Sequence, residues 1–215
     1  LAKSMPQPRA LWDRHGASFD AAPYDFKSQT IIATLAQDVG VSDYQLKHYP
    51  AYTAIINCVV GGWNMALTQA CDREMDIFVE LMRDPVAGNM VRTLFLNRQK
   101  ASKLGLLAPD SVLTRGEHAL LPALKAANEQ AKASGVDEAT KLALATVAAL
   151  RCARAGGIDQ PELADVAAVI GGLFPSYAGG PFTYARQIGP AALAKLAGDD
   201  AAIAAFFAEP AAAAA

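Results

Sequence analysis

The chain has 215 residues, of which 53% are hydrophobic and only 7% are aromatic, and its formal net charge is -2. This length supports one large or two small domains, and the hydrophobic fraction excludes a chain that is disordered throughout. The small net charge gives no general reason to expect nucleic acid or an anionic membrane as a partner. Alanine dominates the apolar residues, and because alanine favours helices and disfavours strands, the composition predicts an all-α fold.

The first part of the chain, residues 1–105, predicts an irregular arm followed by helices. Prolines and a glycine interrupt any helix before Asp25. The aromatic side chains that would anchor this arm on a neighbouring surface are Trp12, Phe19, Tyr24 and Phe26. Helical patterns follow over residues 27–39, 50–62, 64–83 and 85–103, and Pro50 and Pro85 suit the first position of a helix. The side chains expected to point inward from the last helix are Val86, Met90, Val91, Leu94 and Phe95.

The second part predicts further helices. Residues 106–136 form a linker helix after a candidate boundary at 106–110, and residues 137–210 form a helical domain. Asp137 is a suitable cap for a helix to Arg154, and Pro161 starts another that ends near Ile170. Two short alanine-rich helices are predicted over 190–196 and 201–207, and no segment predicts a strand with confidence. The prediction is therefore an all-α chain of two helical segments.

The stretch from Gly171 to Gly189 has too many glycines and prolines for one continuous helix, although helical patterns flank it. Such a segment predicts a sharp, tightly packed bend, which we call the glycine-rich bend. Its structural positions are Phe174, Pro175, Gly179, Gly180 and Pro181.

The glycine-rich bend resembles a signature of 3-hydroxyacyl-CoA dehydrogenases, at the close of their second C-terminal helical domain. Arg151 to Gly157, Ile158-Asp159 and Ala164-Asp165 precede it in the family's order. The family usually has Gly-Ile-Gly before Phe-Pro, whereas this chain has Gly171-Gly172-Leu173. The resemblance covers about residues 137–207.

The first segment resembles the end of the hydratase half of bacterial multifunctional fatty-acid oxidation α-subunits, which join a crotonase-type enoyl-CoA hydratase to a 3-hydroxyacyl-CoA dehydrogenase. The pieces that carry this resemblance are 47–51, 70–79 and 94–100. The resemblance implies a cytoplasmic β-oxidation enzyme that adds water to a trans-2-enoyl-CoA and then oxidises the product with NAD. It implies the remaining domains of that enzyme as partners, together with a second copy of the chain or a thiolase subunit.

Only residues 104–136 separate the two resembling regions. That is too short for a dinucleotide-binding domain, and no Gly-x-Gly-x-x-Gly occurs in the chain. We therefore expect the chain to carry no catalytic residue, to bind neither NAD nor another cofactor by itself, and to lack both activities when isolated. A trimmed polymer, a shortened gene and joined ordered pieces all remain open as explanations.

The resemblance also implies a contact with coenzyme A. In crotonase-type enzymes a Phe and a basic residue at the spacing of Phe95 and Arg98 touch the adenine and the phosphates, and Lys100 would add charge. The alternative, which we favour for Phe95, is a core aromatic beside a solvated cationic helix end. The glycine-rich bend could lie against a pantetheine or a neighbouring domain, but a structural corner is the simpler interpretation.

The other candidate residues predict little chemistry. His48 precedes a helix and is expected to order that turn, while Tyr177 and Tyr184 are interpreted as facing a partner. The acidic residues of 72–80 are expected on the solvated face of a helix, no metal-ligand spacing is present, and no apolar run would span a membrane. Cys58, Cys71 and Cys152 are expected as reduced, buried thiols. The competing function is a non-catalytic binding or assembly module that docks on other β-oxidation subunits.

Overall fold

A computed structural model describes residues 31–107, 119–156, 158 and 160–208. Over these residues every regular element is helical and no strand occurs, which confirms the all-α fold. The predicted arm, the end of the 106–110 boundary and the C-terminal alanine run lie outside the described residues. The helices are α1 (Ile31–Asp38), α2 (Asp43–His48), α3 (Pro50–Gly62), α4 (Leu67–Arg83), α5 (Pro85–Met90), a π-helix (Val91–Asn97), α6 (Arg98–Lys103), α7 (Leu120–Ala133), α8 (Glu138–Arg154), α9 (Pro161–Ile170), a 3₁₀ turn (Ser176–Ala178), α10 (Pro181–Ala197) and α11 (Ala201–Ala208).

Helices α3 and α4 form an antiparallel hairpin. The Cβ position of Gly62 would lie 3.3 Å from Ala70 Cβ, so the glycines at the end of α3 allow the two helices to approach closely. Pro50 occupies the first turn of α3, as predicted. Helix α2 was not predicted, although Ser42 and Gln45 form a capping box that marks its start. None of the residues of α2, α3 or α4 is buried.

The single helix predicted over 85–103 is divided into α5, the π-helix and α6. Asp84 caps α5 through a 2.8 Å bond from the Val86 N–H, as predicted. The inward direction predicted for Val91 and Phe95 is wrong, since they are 45% and 59% exposed. The buried side chains of this segment are instead Asn89, Thr93 and Ala101.

The main core surrounds α8, which packs against α7, α10 and α11. Helix α8 is buried on several sides, as its sequence predicts, and Asp137 caps it through a 2.8 Å bond from the Thr140 N–H. Pro122 lies in the first turn of α7, where a proline removes no helical hydrogen bond. Helix α10 has a kink at Gly189 (φ +78°), so the helix predicted from Pro190 is its second half.

The two helical segments pack against each other. Helix α5 contacts the 3₁₀ turn, while the π-helix and α6 contact α9. A small apolar cluster of Ala101, Leu163 and Val166 lies between α6 and α9. Among the described residues, no helix combines the length and the apolar character that a membrane crossing requires.

Candidate functional site

The glycine-rich bend reverses the chain between α9 and α10. Gly179 has φ +76° and Gly180 has φ +105°, values that side chains other than glycine rarely adopt, and Pro181 begins α10. Phe174 is buried in the main core and meets the Tyr184 ring edge-on, with 5.9 Å between the ring centroids. The bend is therefore a tight corner in which Gly179 and Gly180 are buried, whereas Gly171 and Gly172 are exposed.

Asp165 holds the start of α10. Its Oδ1 accepts a 2.8 Å bond from the Phe182 N–H, and its Oδ2 accepts bonds from the Thr183 N–H (3.0 Å) and the Thr183 hydroxyl (2.7 Å). A Cβ on Gly180 would lie 2.5 Å from this carboxyl group, so the backbone of the bend passes directly against Asp165. Two of these bonds satisfy backbone N–H groups that a helix N-terminus leaves free, and the third holds the Thr183 side chain.

The Asp165 carboxyl is 1% exposed. Burial raises the pKa of this group to about 7, against the opposing effect of the Thr183 and Phe182 donors and of the positive charge of Arg186. A carboxyl with a perturbed pKa is a common mark of a functional site, but buried structural networks perturb pKa values as well. Here the groups that donate to Asp165 belong to the first turn of α10, which is the arrangement of a helix cap.

Helix α5 and the π-helix contact the bend through the buried polar side chains of Asn89 and Thr93, respectively. The Thr93 hydroxyl donates a 2.8 Å bond to the Gly179 carbonyl, and the Asn89 amide donates to the Tyr177 carbonyl (2.9 Å) and to Gln187 Oε1 (3.2 Å). Thr93 is 0% exposed and Asn89 is 4% exposed. A Cβ on Gly179 would lie 3.0 Å from Asn89 Cβ, so this glycine also permits the contact.

A cluster of aromatic side chains joins the start of α3 to the same bend. The His48 ring stacks on the Tyr177 ring with 4.4 Å between centroids, and Tyr49 donates to or accepts from Ser176 Oγ at 3.0 Å. Tyr44 lies 3.4 Å from Glu138 Oε1. Burial raises the pKa of Tyr177, so its phenol stays neutral. Tyr177 and Tyr184 are half-buried and pack against the main core, and their interpretation as facing a partner stays a prediction.

The three residues predicted to contact coenzyme A lie on the π-helix and α6. Phe95 is 59% exposed, so its interpretation as a core residue is wrong. Arg98 is exposed and makes no ion pair with another described residue. Lys100 Nζ lies 3.0 Å from Glu162 Oε1, an ion pair that ties α6 to α9. Phe95 and Arg98 are thus accessible to a ligand, whereas the charge of Lys100 already has a partner.

An open groove with a volume of about 600 Å³ lies between α3 and α4. His48 and Lys47 line one wall, and three carboxylates, from Asp76, Glu80 and Asp84, line the other. No group of three or more metal-binding side chains occurs within the described ranges. In the bend, the Thr183 hydroxyl donates to the Asp165 carboxylate, which also accepts the two backbone N–H bonds at the start of α10.

The expectation that all three cysteines are buried is wrong. All three are free thiols, but Cys71 is exposed, and Cys58 and Cys152 are only partly buried. Burial raises the pKa of Cys58 and of Cys152.

Sequence reasoning missed Asn89 and Thr93, the two side chains that connect the segments. Their signal is a stripe of small and polar side chains at four-residue spacing, 89-93-97-101. The period of an amphipathic helix identifies apolar positions and therefore does not single out this stripe.

The comparisons with known proteins identify no relative: no family model, no curated protein and no solved structure matches the chain.

Proposed function

We propose that this chain is the helical, packing part of a fatty-acid β-oxidation multienzyme of the enoyl-CoA hydratase and 3-hydroxyacyl-CoA dehydrogenase type. In this proposal the chain forms walls of the acyl-CoA site and contacts between domains. The hydration and the NAD-dependent oxidation are carried out by other domains, and the chain itself binds no NAD. The compartment that goes with this proposal is the cytoplasm.

The contact between the π-helix and the glycine-rich bend carries the proposal. The two segments resemble two regions of one enzyme, and the bond from Thr93 to the Gly179 carbonyl lies between them. A buried carbonyl that loses its donor costs about 1–3 kcal/mol, so this bond favours one specific arrangement of the two segments. A chain whose bend receives the other segment in this way is suited to interdomain packing.

The exposure of Phe95 and Arg98 adds support for a coenzyme A contact. An accessible aromatic ring can stack on adenine, and a guanidinium without an ion-pair partner can bind phosphate oxygens. The exposed side chains of Phe95 and Arg98 also suit the competing function, a non-catalytic module that docks on another β-oxidation subunit. Ligand binding separates the two functions.

The test is a calorimetric titration of the full chain with coenzyme A. We expect binding that Arg98→Glu weakens at least ten-fold (about 1.4 kcal/mol or more), while Lys132→Glu, a matched charge reversal at an exposed position of α7, leaves the affinity unchanged. Lack of binding at millimolar coenzyme A, or equal affinity in the two variants, would overturn the contact and favour the docking module. NAD reduction with 3-hydroxybutyryl-CoA by the homogeneous chain would contradict the assignment of the chemistry to other domains.

A further inference from the structure

The hairpin of α3 and α4 exposes an apolar face that no described residue covers. Its members are large or sulfur-containing side chains that share one side of the hairpin, and all of them are exposed. We call this set the hairpin face: Ile55, Val59, Leu67, Cys71, Met75, Phe78, Val79 and Met82. Phe78 is 51% exposed and Met75 is 60% exposed, although both lie in the middle of a 17-residue helix.

Helical geometry places these side chains on the same side. Helix α3 turns its glycines towards α4, and α4 turns Ala70 towards α3. At 100° per residue, most of the exposed apolar positions of both helices are rotated by about 100° from this contact line, in the same sense, and Val79 lies at the far edge of the face, about 180° from Ala70. Because the two helices are antiparallel, equal rotations of the same sense bring both stripes to one face.

The area of the hairpin face is that of a protein interface. Its side chains together expose on the order of 700 Å² of apolar surface, more than the about 300–600 Å² of the largest patch on a typical monomer. It is close to the about 800 Å² that each partner contributes to a standard interface. The hairpin also needs a cover, since neither helix has a buried residue and isolated helices gain most of their stability from packing.

The pattern on α4 identifies the kind of partner. Cys71, Met75, Phe78 and Met82 follow a 4-3-4 spacing, which is the seam spacing of helices that pack side chains into each other's holes. The charged residues at 76, 80 and 83 lie on the opposite side of α4, while Asp72 and Glu74 flank the seam on its two sides. When two identical antiparallel hairpins meet face to face around a two-fold axis, each helix of one copy lies opposite a helix of the other copy that runs in the reverse direction. This is the arrangement of a four-helix bundle.

We propose that two copies of this chain associate through the hairpin face, and that their α3 and α4 helices form an intermolecular four-helix bundle. The thioether side chains adapt to the shape of the opposing surface. The interface goes beyond the function proposed above, because it requires neither coenzyme A nor another domain.

The test is sedimentation equilibrium of the full chain between about 1 and 100 µM. We expect a mass of twice the 22.5 kDa chain. The variant Phe78→Glu brings a carboxylate into the centre of the bundle from each copy, and we expect the dissociation constant to rise at least thirty-fold, the effect of losing a central interface residue. Leu96→Glu, an equally exposed leucine on the π-helix (55% exposed), is the matched control and should remain dimeric.

The wild-type mass tests the proposal without any variant. A monomer at 100 µM would overturn it, and a face that instead binds a different protein would then be the remaining interpretation. A Phe78→Glu chain that stays dimeric would also overturn it, because the copies would then meet elsewhere. The helical circular dichroism of both variants checks that each is folded, and Met75→Ala, which removes a side chain without adding charge, should weaken the dimer while keeping the fold.

Discussion

Replacing Gly179 with alanine is the sharpest test of how the two segments are joined. Gly179 has φ +76°, and an L-residue in this left-handed region costs about 1–2 kcal/mol. The new Cβ would lie 2.8 Å from Thr183 Cγ2 and 3.0 Å from Asn89 Cβ, closer than side-chain atoms pack. Such overpacking costs about 1–3 kcal/mol, so Gly179→Ala should lose about 2–5 kcal/mol in the free energy of unfolding.

The neighbours of Gly179 have little freedom to move away. The Thr183 hydroxyl and N–H are both bonded to Asp165, and the Asn89 amide is bonded to the Tyr177 carbonyl. A methyl group between them therefore separates α5, which carries Asn89, from the bend or breaks the cap of α10. Both outcomes lower stability beyond the cost of the backbone conformation.

Gly172 provides the matched control, because it has nearly the same backbone conformation (φ +69°) but no atom within 4 Å of its Cβ position. Gly172→Ala should lose only the conformational cost of about 1–2 kcal/mol. Urea unfolding followed by circular dichroism measures both values, with equal slopes as the check that unfolding stays two-state. Equal losses in the two variants would refute the reasoning, since they would show that the crowding at Gly179 has no energetic consequence.

Two further predictions concern buried polar groups. Thr93→Val keeps the shape of the side chain but removes the donor to the Gly179 carbonyl, so we expect a loss of about 1–3 kcal/mol in urea unfolding. Thr146→Val is its control, because the buried Thr146 hydroxyl has no hydrogen-bond partner, and the change should be neutral or stabilising. Burial raises the pKa of Asp165 to about 7. The folded state therefore keeps a proton that the unfolded state releases near pH 4, and stability should fall by up to about 1.4 kcal/mol per pH unit from about pH 4 to 7. Asp165→Asn should abolish this slope; a wild-type stability that rises over that range would contradict the shift.

The helices of the second segment could be predicted from sequence because local signals determine them. Asp137, Pro161 and the glycines of the bend act on their immediate neighbours, and the structure places helix ends at these residues. The contact between the segments could not be predicted in this way. This contact depends on which backbone carbonyls of the bend accept no hydrogen bond within a helix. Only the folded bend determines that the Gly179 carbonyl is one of them and accepts its bond from the Thr93 hydroxyl.

The direction of Phe95 was mispredicted because the helix period changes along the segment. In an α-helix, four residues advance by 400°, so a stripe with four-residue spacing drifts by about 40° at each step. The wider π-helix, with about 4.4 residues per turn, drifts in the opposite sense. Inserting the π-helix between α5 and α6 therefore keeps Asn89, Thr93 and Ala101 on one side, while an unbroken α-helix would have rotated Ala101 away from α9. The π-helix thus lets one segment bring polar donors to the bend and an apolar residue to α9, and its outer face, with Phe95, is left open to a ligand.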